Sequence, residues 1–417
     1  PPILAEAPMK VLVADKFSED GIATMRTARH TVVDDPSLSG EDLKTALKQE
    51  SPAVLVVRST EVTSEMMDAN PSLELIVRAG AGYDTIDVAA ASRRGIFVAN
   101  CPGKNAVAVA ELAFGLILAI DRRIADNVAE ARAGHWNKGG FSKAAGLKGR
   151  TLGLIGLGNI GTEMIRRAEA FGMDVIAWSR SLTDERAAEL GVERAVSPIE
   201  VARAADVVSI HVASTPDTKR MVDEAFLSSM RPGSVLINTS RGSIVDEAAL
   251  TEALESNDLW VGLDVFEGEP AAKEGAFSHP LAGHPRVYLT HHIGASTEQA
   301  TAAIGDEAVR IVSVYASTGV VANCVNIASQ TAATHMLTVR HLDKVGVLAS
   351  VLDEMRKSNW NVQEMENLVF NGGVAACARI RFAGDMHAAT IERIDENPDV
   401  IAVSVISLTE PNETNHG

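Results

Sequence analysis

Residues 151–180, TLGLIGLGNIGTEMIRRAEAFGMDVIAWSR, constrain the fold more than any other stretch of the chain. An apolar run ends at Gly156, Gly158 and Gly161 complete a GxGxxG spacing, and an amphipathic segment leads to a second apolar run at 175–178. That order predicts one βαβ unit with a dinucleotide site at its first turn. Gly156 permits the tight turn, Gly158 lets a pyrophosphate approach the backbone, and Gly161 lets helix and strand pack closely. The helix that opens at Asn159 and Ile160 offers free N–H groups to the anion. At 417 residues the chain is long for a single core, so two or three domains are expected.

The same strand and helix alternation extends to both sides. Residues 10–15 (KVLVAD), 53–58 (AVLVVR) and 75–78 (LIVR) read as short buried parallel strands, the last running into the glycine-rich turn AGAGYD at 79–84. Arg58 and Arg78 fall at the ends of two of these strands, where open α/β sheets bind ligands, and two guanidinium groups there suit an anion. A long apolar helix from Asn105, with Glu111 near its start, leads to the fingerprint. Residues 131–147 carry His135, Trp136, Lys138 and Lys143 among glycines and read as an exposed excursion able to reach a neighbouring subunit. Beyond the fingerprint, 206–212 (DVVSIHV), 234–238 (SVLIN) and 262–266 (GLDVF) read as strands, and LTHHIG (289–294) precedes a helix beginning near Ser296. Residues 317–334 are small, polar and aperiodic, as a linker would be. The remainder reads as strand 335–341, helix 345–358, strands 362–370 and 374–382, helix 386–396 and strand 400–408, a ferredoxin-like βαββαβ unit with a hairpin at Asn371-Gly372-Gly373.

Charge and cysteine content exclude several classes. With 38 basic and 55 acidic residues the net charge of −17 argues against general nucleic-acid or anionic-membrane binding. Cys101, Cys324 and Cys377 are too far apart for a CxxC pattern, which suits a reducing cytoplasm. The longest apolar run, 106–120, is interrupted by Glu111 and is too short to span a bilayer. Residues 1–8 lack the features of a signal peptide and are read as preceding a natural start near Met9.

Arg241, Glu269 and His292 recur at strand ends on the cofactor side. Hydride transfer from a secondary alcohol needs a base for the hydroxyl proton, a group to hold that base and a cation for the substrate carboxylate. Histidine suits the first role, a carboxylate on its other nitrogen the second, and the arginine fork the third.

GLGNIG, NTSRGSIVDEAAL, GLDVFEGEP and THHIGAST, in this order, resemble the D-2-hydroxyacid dehydrogenase family over about the first 325 residues. VRSTEVT and VRAGAGYDTIDVAA resemble its D-3-phosphoglycerate dehydrogenase branch, and the C-terminal unit resembles an ACT regulatory domain. The resemblance implies an α/β chain with a flavodoxin-like substrate domain (1–105 and 291–325), an inserted Rossmann domain (106–290), a linker (326–334) and an ACT domain (335–410). It implies Arg241 as substrate clamp, Glu269 as acid partner and His292 as base. Asp264 would contact the nicotinamide end of NAD or NADP, with Ala81, Asn159, Ile160, Val212, Thr239, Ser240 and Gly294 lining the cofactor site. Arg58, Ser59, Arg78 and the amides of Ala81 and Gly82 would take the substrate's phosphate and carboxylate. Small 2-hydroxyacids, a homodimer or homotetramer, and no resident metal complete the expectation.

Three positions depart from the family pattern. His291 stands where the family usually has proline, and motif position assigns the base to His292. Ser179-Arg180 stands where NAD-dependent members place an aspartate, which removes a repulsion and predicts that NADP is accepted. His341 and Asn361 match an effector-site pattern, but Asp343 would repel the carboxylate of serine. The expected reaction is oxidation of 3-phospho-D-glycerate. Glyoxylate or hydroxypyruvate reduction is the rival within the family, and a non-enzymatic dinucleotide sensor or co-repressor the rival outside it.

Overall fold

The computed structural model describes residues 8–270 and 275–408, so the expected start before Met9 lies largely outside the described residues. Contacts divide the chain into two compact units, Pro1–Asn326 and Ile327–Gly417. The first unit contains two parallel sheets, each the centre of a lobe.

The first sheet comprises β1 (Lys10–Val13), β2 (Thr31–Asp34), β3 (Val54–Val57), β4 (Leu75–Arg78) and β5 (Phe97–Asn100), in the order β2-β1-β3-β4-β5. That is the flavodoxin order, with its reversal between β1 and β3. Val11, Val13, Val54, Val56, Leu75 and Val77 face one side, against Ile304, Ala308, Ile311 and Val312 of the helix Glu298–Thr318. Leu12, Leu55, Val57 and Ile76 face the other, against Leu43, Leu47, Met66 and Met67. Period-two burial on both faces is why these strands read as unbroken apolar runs. β2 and β5 were not legible as strands, and β2, on the sheet edge, is only half-buried.

The second sheet comprises β6 (Thr151–Ile155), β7 (Asp174–Trp178), β8 (Glu193–Arg194), β9 (Val207–Ile210), β10 (Val235–Asn238), β11 (Trp260–Leu263) and β12 (Val287–Leu289). Its order is β12-β11-β10-β9-β6-β7-β8, with the fingerprint turn after the central β6. The apolar helix Ala106–Arg122 and the fingerprint helix Asn159–Ala170 cover one face through Ala113, Phe114, Ile117, Met164 and Ile165. The strand expected over 262–266 instead ends at Leu263, because Asp264 turns inward to bind loop amides.

The aperiodic stretch 317–334 is not all linker. The helix continues to Thr318, Cys324 bridges antiparallel to Ala99, and the Asn326 side chain accepts from the Val98 amide and donates to the Ile96 carbonyl. Asparagine side chains supply the pairing here, so no hydrophobic alternation announced it. Of the expected excursion 131–147, Ala131 and Arg132 close a helix and Leu147 is buried in the core; the residues between are mostly exposed, with Trp136 89% exposed.

The second unit is a four-stranded antiparallel sheet of β13 (His335–Leu342), β14 (Asn361–Val369), β15 (Ala375–Ala383) and β16 (Val400–Ser407), in the order β14-β15-β13-β16. Leu337, Val339, Ala378, Ile380 and Phe382 meet Val351, Met355 and Ile394 of its two helices. The expected effector residues do not converge within one chain. His341 is buried, its Nδ1 2.8 Å from the Leu342 carbonyl and its Nε2 3.1 Å from Asn367 Oδ1. It pairs with Ala376, whereas the exposed Asn361 pairs with Ala383, seven residues further along β15. That separation is roughly 23 Å along the strand. Asp343 is exposed, and its amide donates to the Val374 carbonyl at the His341 end. Among the described residues no helix is long and apolar enough to cross a membrane.

Candidate active site

A cleft of about 1450 Å³ is lined from both lobes of the first unit, by Arg58, Arg78 and Asp84 on one side and Arg241, Glu269 and His292 on the other. Each lies in a turn at or just beyond a strand C-terminus.

Asp264, 1% exposed, organises the histidine loop. Its Oδ1 accepts from Thr290 Oγ1 at 2.6 Å and the Ile293 amide at 2.9 Å, its Oδ2 accepts from the Gly294 amide at 2.8 Å, and its carbonyl accepts from the His292 amide. His292 is thereby held at φ +53°, a left-handed conformation that few non-glycine residues adopt. Its Nδ1 lies 2.7 Å from Glu269 Oε2, while Glu269 Oε1 accepts from the Phe266 amide. The bond to Glu269 and its charge raise the His292 pKa above the ordinary 6.5, against the opposing pull of burial and of the Arg241 cation. With Nδ1 so held, Nε2 is the nitrogen left to exchange a proton. His291 also lines the cleft, but its ring meets the edge of Phe277, with centroids 6.4 Å apart, and among the described residues no carboxylate.

Three arginines gather here. Arg78 is mostly buried and its Nε has no hydrogen-bond partner among the described residues. Burial and the nearby Arg241 and Arg58 charges lower its pKa, opposed by Asp84. Arg58 and Arg78, neither in an ion pair among the described residues, stand in the same cleft as Arg241, which Asp84 holds, and guanidinium groups so gathered make a site for an anion. Ser59 lines the same cleft, but its hydroxyl donates to Asp15 Oδ1, and Asp15 Oδ2 accepts from the amides of Arg58, Ser59 and Thr60. Asp15 thus shapes the turn that presents Arg58. Ala81 is fixed from behind, its carbonyl accepting from Asn100 Nδ2 at 2.6 Å. Asp15, Asp84 and Asn100 escaped sequence reading, since an acid at a strand end or in a glycine turn carries no sign of which amide or guanidinium it will meet.

The fingerprint turn fits a dinucleotide. Gly156 has φ +96° and a Cβ there would stand 2.6 Å from the His211 carbonyl oxygen; one on Gly161 would stand 2.7 Å from the Gly156 oxygen. Nothing lies within 4 Å of a Cβ at Gly158, which leaves the open space a pyrophosphate needs beside the helix N-terminus. Val212 borders Gly156, and the buried Thr239 Oγ1 has no hydrogen-bond partner among the described residues, as a group awaiting a ligand would. Ser240 Oγ instead donates to Asn238. Asn159 Nδ2 faces Gly103 of the segment that crosses between lobes. Ser179 is half-buried, and the exposed Arg180 lies 3.8 Å from Asp217 Oδ2.

Comparison with known proteins agrees with this arrangement. The family model "D-isomer specific 2-hydroxyacid dehydrogenase, NAD binding domain" matches residues 114–294. A D-3-phosphoglycerate dehydrogenase of Methanocaldococcus jannaschii is 38% identical over 71% of this chain, which spans only 55% of that relative's length. A glyoxylate reductase of Thermococcus litoralis is 35% identical over 76% of this chain and 96% of its own. The solved NAD+-bound 3-phosphoglycerate dehydrogenase of Entamoeba histolytica superposes with a TM-score of 0.64 at 27% identity, covering 77% of this chain and 99% of that one. The parallel sheets, the fingerprint turn and this coverage together establish that the chain belongs to the D-isomer specific 2-hydroxyacid dehydrogenase family.

Proposed function

We propose that the chain is a nicotinamide-dependent dehydrogenase that oxidises 3-phospho-D-glycerate to 3-phosphohydroxypyruvate, the step that commits carbon to serine. One observation carries the choice of substrate: Arg58, Arg78 and Arg241 line the same cleft as the His292–Glu269 pair, one guanidinium for a carboxylate and two for a phosphate. Arg241 binds the substrate carboxylate and polarises the C2 oxygen, and Arg58 and Arg78 take the phosphate. Nε2 of His292 accepts the C2 hydroxyl proton while Glu269 stabilises the imidazolium that forms. When bound, the nicotinamide supplies the acceptor for the C2 hydride. Gly156, Gly158, Gly161 and the helix behind them would hold its pyrophosphate. Asp264 acts on the reaction by fixing the backbone that carries His292.

Glyoxylate or hydroxypyruvate reduction is the second reading, favoured by the full-length match to the Thermococcus litoralis enzyme and by Arg180. Two further arginines beside Arg241, more than a carboxylate alone requires, weigh against it, and an intact proton acceptor weighs against a pure sensor. The C-terminal unit serves as an ACT-like regulatory domain, and the exposed excursion with Trp136 supports a homodimer or homotetramer. The three free cysteines and the net charge of −17 support a cytoplasmic protein without nucleic-acid or membrane partners. A panel of phosphoglycerate, phosphohydroxypyruvate, glyoxylate and hydroxypyruvate, each with NAD(H) and NADP(H), tests the proposal. Turnover of phosphoglycerate or phosphohydroxypyruvate at the highest kcat/KM is expected, and turnover confined to the unphosphorylated acids would overturn it.

A further inference from the structure

Asp84 and Arg241 stand 157 positions apart, one in the turn after β4 of the first lobe, the other in the turn after β10 of the second. Across the cleft, Arg241 Nε donates to Asp84 Oδ2 at 3.1 Å and Nη2 donates to Asp84 Oδ1 at 2.9 Å. Arg241 Nη1 donates to the Ser240 carbonyl at 2.7 Å. A guanidinium has five N–H donors. Among the described residues three are used, which leaves one on each terminal nitrogen, the pair that a second carboxylate can accept.

The surroundings are arranged for this contact. A Cβ on Gly82 would stand 2.0 Å from Arg241 Nη2 and 2.9 Å from Asp84 Oδ1, so any larger residue there would push the pair apart. Arg241 holds the Asp84 carboxyl below its ordinary pKa, with Arg78 adding to the effect. Arg78 repels Arg241, so without Asp84 the Arg241 side chain would have reason to swing away from the cleft.

The geometry points to Asp84 as the residue that positions Arg241 for the substrate carboxylate, tying the clamp of one lobe to the glycine turn of the other. The inference rests on the reading of Arg241 as substrate clamp. Asp84 touches no reacting atom; it acts through the side of the fork it occupies. Replacing one oxygen by an amide nitrogen presents a donor to a donor and breaks the two-point grip. Asp84→Asn in the full chain is expected to raise KM for 3-phosphohydroxypyruvate and the Kd of oxalate, measured by calorimetry with NADH present, by roughly 10- to 100-fold, the scale of a charged hydrogen bond. NADH affinity should stay within about twofold and kcat should fall less than KM rises, whereas a fold defect would lower all of them. Asp84→Glu, which keeps both acceptors, should recover part of the loss and serves as the second variant if Asp84→Asn does not fold. Unchanged or tighter oxalate binding in Asp84→Asn, with Arg241→Lys weakened, overturns the Asp84 inference alone, because Asp84 would then be a bystander or a competitor. Unchanged oxalate binding in Arg241→Lys removes the clamp reading and this inference with it.

Discussion

Glu269 Oε2 lies 2.7 Å from Nδ1 of His292, and the other Glu269 oxygen accepts from the backbone of Phe266. The carboxylate is therefore fixed before it acts on the imidazole. Because Asp264 fixes the backbone of His292 as well, neither partner of the pair is free to drift.

This pairing distinguishes two adjacent histidines. His292→Asn should lower kcat by roughly 10²- to 10⁴-fold, the usual contribution of a positioned base, with NADH affinity by fluorescence titration little changed. His291→Asn should keep most of the turnover, since His291 meets Phe277 rather than a carboxylate. An active His292→Asn beside an inactive His291→Asn would reverse the assignment.

The pH profile follows from the same bond. A raised His292 pKa keeps the imidazole protonated to higher pH, so oxidation, which needs the neutral base, should rise through a limb above pH 6.5. Glu269→Gln removes the largest cause of the elevation and leaves burial and Arg241, which act in the opposite direction, with only the smaller influence of the Asp264 charge still raising the pKa. The limb should move to lower pH while the plateau rate falls, and in the reduction direction the alkaline limb should move down as well. A kcat/KM profile for Glu269→Gln with its limb unmoved would show that Glu269 does not control the base.

Cofactor choice turns on Arg180, exposed and only loosely drawn to Asp217 at 3.8 Å. A 2′-phosphate can displace so weak a partner. NADP(H) should be accepted, Arg180→Ala should lower its kcat/KM about tenfold, the order of one charged hydrogen bond, and NAD(H) should change little. A strong preference for NAD that Arg180→Ala leaves untouched would end the idea.

Glu307 supplies a stability test far from the chemistry. Its buried carboxylate bonds Arg310 at 2.6 Å and Asn323 at 2.7 Å and lies 3.3 Å from Lys104, contacts that push its pKa down to about 2. A depressed folded pKa gives stability that is present above the ordinary 4.5 and lost as pH falls toward 2. Glu307→Gln should therefore cost on the order of 3 kcal/mol in denaturant unfolding at neutral pH, a cost that shrinks as the pH is lowered through that window. A difference independent of pH would contradict this account.

Much of the architecture was legible because it rests on local signals. Apolar runs buried on both faces marked β1, β3 and β4, and glycine spacing marked the turn at Gly156, Gly158 and Gly161. Strands that pair through edge positions or asparagine side chains, β2, β5 and the stretch at Cys324 to Asn326, left no such period. In the site, the chemical types of Arg241, Glu269 and His292 could be read directly. The pairing of Glu269 with His292 was anticipated as well, whereas the contact of Arg241 with Asp84 was not.

By itself the sequence determined the strand and helix alternation, the phosphate-binding turn and the kinds of side chain available at the strand ends, since each follows from residues within one turn or one strand of another. Only the tertiary structure decided that Ser59 turns to Asp15, that Asp84 grips Arg241 across the cleft, that Asp264 sets the His292 loop, and that His341 and Asn361 lie far apart on their sheet. The reason is physical: hydrogen bonds and ion pairs are made between atoms a few ångströms apart. The partners here lie 28 to 157 positions apart, so the fold, not local sequence, brings them within reach.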